Sequence, residues 1–142
     1  MLEFLLILFL GRSVLLTPEP INLSGTNEIV LNAPLKAVSG GARLGIDVST
    51  LIFVRPEESI KDFRDRVRRE FPPEVFSALL QSKDGRSVRL GYAGNVEIGK
   101  TTVVLSLVSA EPIPTDRAFS RLSVSSALPV RGVKLIWTNY SP

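Results

Sequence analysis

The stretch Gly94-Asn95-Val96-Glu97-Ile98-Gly99-Lys100-Thr101 spells a glycine, four residues, then Gly-Lys-Thr. This is the phosphate-loop spacing. In such a loop, backbone amides at a helix N-terminus cradle phosphate oxygens, the lysine meets the outer phosphates and the threonine hydroxyl binds magnesium. On the pattern alone, Lys100 takes the phosphate role and Thr101 the metal role, which makes the chain a P-loop-like nucleotide-binding enzyme.

The neighbouring residues point elsewhere. A phosphate loop needs a buried parallel strand before it and a helix after it. Here "RSVRLGY" is a half-polar alternating strand, and Thr101–Val108 has five β-branched residues among eight, which favours a strand. Glu97 puts a carboxylate where phosphates would sit. The reading that fits is a hairpin: Gly94 and Gly99 bend the chain between two antiparallel strands, and Lys100 points into water. The nucleotide-binding enzyme stands as the alternative.

Other chemistry is restricted by composition. The 142 residues contain no cysteine and no histidine. That removes disulfides, thiolate nucleophiles, the commonest general base and the commonest transition-metal ligand. Asp47, Asp84, Glu97, Glu111 and Asp116 are scattered acids, and no spacing marks two of them as a general acid/base pair. Asn22-Leu23-Ser24 and Asn139-Tyr140-Ser141 match the glycosylation sequon, which matters only in a secretory pathway. The net charge of +3 allows weak attraction to anionic surfaces but falls short of a nucleic-acid footprint. The aromatic residues do not cluster with basic ones, so no nucleic-acid partner is expected. Tyr92 and Trp137 lie in strand alternation and read as core. No catalytic, cofactor-binding or metal-binding residue is assigned, and no cofactor is expected.

The elements around these residues follow from hydrophobic pattern. "FLLILFL", Phe4 to Leu10, is an unbroken apolar run inside an N-terminal segment 1–16. It is too short to span a membrane as a helix but fits the apolar region of a signal sequence or anchor, with a cut after Ser13. A packed first element of the domain is the alternative. Residues 17–27, "TPEPINLSGTN", read as a linker, and the folded domain as 28–142. Within it, Leu44, Ile46 and Val48 share one face of a strand, and "LIFV", Leu51 to Val54, reads as a buried strand. A helix over about 57–71 follows, with Pro56 in its first turn and Ile60, Phe63, Val67 and Phe71 as one apolar stripe. Lys61–Asp65, Asp62–Arg66 and Asp65–Arg69 are opposite charges four apart on its wet side. Strands resume at "VFSALLQS", turn at Asp84-Gly85, and continue through "SVRLGY", "TTVVLSLV", "RLSVSSAL" and "GVKLIWT".

Seven or eight short strands with one inserted amphipathic helix imply a mainly β protein: an antiparallel β-sandwich or related barrel, immunoglobulin-like or jelly-roll-like. The function this implies is a non-enzymatic, exported or membrane-tethered module with a binding, adhesion or structural-assembly role. A jelly-roll coat or assembly subunit is a further alternative. The expected partner is a protein or cell-surface component, met by the helix and the Pro-rich loop adjoining it, with membrane attachment through Phe4–Leu10. The expected location is extracytoplasmic or membrane-associated.

Overall fold

The computed structural model describes residues 13–38 and 40–139. The chain is mainly β, its sheets are antiparallel, and among the described residues it has one short helix. In chain order the elements are β1 (Ser13–Leu15), β2 (Ile21–Ile29), β3 (Leu35–Lys36), β4 (Arg43–Asp47), α1 (Ile60–Glu70), β5 (Phe76–Gln81), β6 (Ser87–Ile98), β7 (Val103–Val108), β8 (Ala118–Phe119) and β9 (Arg121–Thr138).

β9 organises the molecule. Its C-terminal half pairs with β4, as in Leu44 opposite Trp137 and Ile46 opposite Leu135. Its N-terminal half pairs with β5, as in Ala78 opposite Val124. Between them run β7 and β6, so the hydrogen-bonded path β9-β4-β7-β6-β5 returns to β9. The opposite edge of β9 carries β1 and then β2. β3 and β8 form a separate two-stranded sheet. One strand can serve both ends of this path because its middle is irregular. Two register shifts separate Ile21, Leu23 and Gly25 of β2 from their partners, leaving extra residues in β9 near Ala127–Gly132. Such bulges bend a strand and increase its twist. Gly132 adopts φ +73, a conformation that costs a side-chain-bearing residue more than it costs glycine.

The alternating strands place their apolar faces as expected. Leu44, Ile46 and Val48 are fully buried, as are Leu80, Leu90, Leu105, Leu107, Val133 and Leu135. Trp137 and Tyr92 are core residues: the indole donates to the Lys36 carbonyl, and the Tyr92 hydroxyl donates to the Phe71 carbonyl at 3.0 Å. The Asp84-Gly85 hairpin forms between β5 and β6, with Gly85 at φ +87.

Four expectations need correction. The stretch 17–27 is not a linker through its length: Ile21–Ile29 is a strand along β9, with Leu23 buried in the core. Its Ser-Gly-Thr-Asn composition is absorbed by bulges and by Gly25 at φ +61. "RLSVSSAL" and "GVKLIWT" are one continuous 18-residue strand rather than two, because the bulged middle carries Pro129 without ending the pairing. The helix begins at Ile60, with Ser59 as N-cap: the Asp62 amide donates to its hydroxyl at 3.0 Å. Pro56 and Glu57 lie in a turn before it, and Glu57 has φ +69. Finally, Leu51–Val54 is a loop; only Ile52 is buried. The run Phe4–Leu10 lies outside the described residues. Among the described residues no helix is long and apolar enough to cross a membrane.

Candidate functional site

The motif residues Gly94–Thr101 fall on the second half of β6 and the turn after it. Tyr92 faces Leu107 and Val96 faces Leu105, so four steps along β6 match two along β7. The surplus is a bulge, and Gly94 sits in it, buried, at φ +94. Its carbonyl accepts a hydrogen bond from Arg68 Nε on α1 at 2.8 Å. Val96, Glu97 and Ile98 are in register with Leu105, Val104 and Val103 of the ladder, and the Glu97 carboxylate pairs with Arg43 at 2.7 Å. The Gly99 amide closes the turn on the Thr102 carbonyl at 2.8 Å, and β7 starts at Val103. Lys100 and Thr101 are exposed. The segment thus has no helix N-terminus and no converging set of amides to hold a phosphate. Gly99 bends the hairpin as expected. Gly94 does something the sequence reading missed: its bulge opens a carbonyl to the helix. An isolated glycine in a strand pattern was the available signal.

Four of the five scattered acids have local structural partners, Glu97 with Arg43 among them, and Glu111 is exposed. Asp47 accepts from the Ser49 amide at 2.9 Å and from the Ser49 hydroxyl. Asp84 accepts from the Ser82 hydroxyl and the Arg86 amide; these bonds, in that order, and then the nearby Arg117 hold its carboxyl below the usual range. Asp84 and Asp116 meet at the Arg117 guanidinium, at 3.1 and 3.5 Å. The shared arginine favours the charged form of Asp84, which is the reverse of what a general acid needs. Burial raises the Tyr92 phenol above its ordinary value, so it stays a neutral donor to the Phe71 carbonyl. Among the described residues, no group of three or more acids could hold a metal ion. Both sequon asparagines have structural bonds: Asn22 accepts from the Gly132 amide, and Asn139 accepts from the Val38 amide and donates to the Lys36 carbonyl.

Comparisons with protein-family models, with curated proteins and with solved structures match nothing to this chain.

What the sequence reading missed most is the approach to α1. Phe63, Val67 and Phe71 bury the helix stripe, and Phe71, Phe76 and Tyr92 form a tilted aromatic chain with ring centroids 6.1 Å apart. Ile60, expected in the stripe, is half exposed. Lys61–Asp65 forms on the wet side at 3.2 Å, but Asp62–Arg66 and Asp65–Arg69 are not paired. Arg66 turns to Glu58 instead: Nε and Nη2 make a two-pronged contact with the carboxylate, both at 2.9 Å. Its guanidinium also lies over the Phe63 ring and donates to the Phe53 carbonyl at 2.8 Å. The Arg66 bonds and then the Arg55 amide hold the Glu58 carboxyl down at about 2. This network fixes a loop whose side chains face water: Phe53 is 70% exposed, and Leu51 and Val54 are each 42% exposed. The available signal was the run's brevity, with Ser49-Thr50 before it and Arg55-Pro56 after it.

Proposed function

We propose that this chain is a non-enzymatic binding or assembly module, exported or held at a membrane by its N-terminal apolar run, whose contact surface includes the Leu51–Val54 loop. The fold that goes with this proposal is a small antiparallel β-sandwich or barrel in which the two halves of β9 serve different parts of the sheet; the return of the pairing path to β9 supports it. The observation that carries the functional reading is the exposed apolar loop held rigid from behind. Large apolar side chains standing together in water mark interaction surfaces, and here Arg66 and Glu58 fix the backbone that displays them. The expected partner is a protein or cell-surface component, met outside the cytoplasm.

Fractionation of cells expressing the full chain tests this reading. The full chain is expected in the membrane or exported fraction, and a Leu6→Asp/Leu8→Asp variant, which interrupts the apolar run, is expected to stay in the cytosol. A full chain that remains soluble, uncut and cytoplasmic removes the export and tether proposal.

A further inference from the structure

Three segments meet at the end of the sheet where the exposed loop stands. The Val48 amide donates to the Val103 carbonyl and the Val103 amide donates to the Ser49 hydroxyl, both at 2.9 Å, which places the loop beside the Gly99–Thr102 turn. The Thr50 hydroxyl donates to the Gly132 carbonyl at 3.0 Å, which places it beside the bend of β9. Each segment contributes one exposed cation: Arg55, Lys100 and Arg131. None of the three is ion-paired among the described residues, and the stretches 49–55, 99–102 and 131–132 contain no acid. Of the carboxylates bordering them in sequence, Glu58 is committed to Arg66, Asp47 to Ser49 and Glu97 to Arg43, which leaves Glu57; Glu57 and Glu97 are the exposed ones.

We propose that this end of the sheet docks on an anionic lipid surface, with Leu51, Phe53 and Val54 entering the interface and Arg55, Lys100 and Arg131 meeting the headgroups. The inference rests on the binding-module reading and names its partner. Charge decides between occupants. Apolar side chains with cations on the segments beside them match the boundary between anionic headgroups and acyl chains. A second copy of the chain would set the same three cations against themselves. Ile52, buried beneath the loop, keeps it anchored to the core.

The test is co-sedimentation of the full chain with vesicles of phosphatidylcholine alone and of phosphatidylcholine with phosphatidylserine, at low and at physiological salt. The expected result is binding that requires phosphatidylserine and weakens with salt. Arg55→Gln/Lys100→Gln/Arg131→Gln should weaken it by about 100-fold, at roughly fivefold per cation. Phe53→Ser should weaken it by roughly tenfold. Both variants change exposed residues, and matching thermal melts confirm that they are folded. The Leu6→Asp/Leu8→Asp variant separates the two readings: phosphatidylserine-dependent binding should survive it. Binding that is equal on both vesicles, or lost with the N-terminal run and unchanged in the loop and cation variants, overturns the inference while leaving the tether standing. Binding to soluble polyglutamate without binding to vesicles assigns the cations to an acidic protein and also overturns it. So does lipid-free self-association that Phe53→Ser abolishes.

Discussion

Two apolar runs in this chain look alike as text and end in opposite places. "VVLSLV" becomes β7, flanked by β4 on one side and β6 on the other, with Leu105 and Leu107 fully buried. "LIFV" becomes a loop with three of its four side chains in water. Hydrophobicity does not separate them; the destination of the backbone hydrogen bonds does. β7 finds a strand on each edge, so its backbone is taken up in two ladders. In the other run, the amides of Leu51 and Ile52 turn back onto the Val48 carbonyl, and the Phe53 carbonyl is taken by Arg66. A short run that starts in an Asp47–Ser49 turn and stops at Arg55-Pro56 has no room to enter a ladder. The contrast shows that a buried strand is specified by its neighbours as much as by its own residues.

The largest expected effect tests the contrast itself. Leu107→Ala in β7 should cost about 2–5 kcal/mol in urea unfolding, since it empties a filled core site. Phe53→Ala, although it removes a larger side chain, should fall within about 0.5 kcal/mol of wild type, as surface changes do. A large loss from Phe53→Ala would mean that the loop is packed. Next comes Gly94→Ala. A side chain at φ +94 is strained even though its Cβ would meet Pro73 and Arg68 only at ordinary contact distance, so about 1–3 kcal/mol should be lost.

The pH dependence sharpens the loop's side of the comparison. Folding lowers the Glu58 carboxyl from 4.5 to about 2, so the folded form binds its proton more weakly than the unfolded chain does. Its contribution to stability is therefore complete above about pH 4.5 and fades as pH falls toward 2. Melting curves across that window should show a steeper loss for wild type than for Glu58→Gln, and identical slopes would place the Arg66 contact outside the folding balance. The smallest effect is expected from Lys100→Ala. A solvated turn lysine should change stability by less than about 0.5 kcal/mol. It should also leave ATP binding unchanged from a negligible starting value; ATP binding that Lys100→Ala abolishes would restore the phosphate-loop reading.

The antiparallel, mainly β character was legible because Leu44–Val48, Val88–Tyr92 and Val133–Trp137 alternate strictly, and a period of two has one structural meaning. The helix was legible from its stripe. Its start was misplaced because Pro56 and the acids before Ser59 resemble a first turn, while Glu58 is in fact drawn to Arg66, eight residues on. The run of Ile21–Ile29 along β9 was not legible: strand pairing is a long-range property, and bulges let Ser24, Gly25 and Asn27 enter a ladder that their types disfavour. The surface at Arg55, Lys100 and Arg131 was out of reach for the same reason, since these residues are far apart in the chain and meet only through the Val103 and Gly132 bonds.

The most direct test of this surface is amide hydrogen exchange on the full chain, with and without phosphatidylserine-containing vesicles. Before vesicles are added, β7 amides should exchange slowly and those of Phe53 and Val54 quickly. On addition, new protection should appear in 51–55, 99–102 and 131–132 and nowhere else among the described residues. Protection that leaves these three segments unchanged, or that appears on α1 or β2 instead, would contradict the assignment of this end of the sheet as the contact surface.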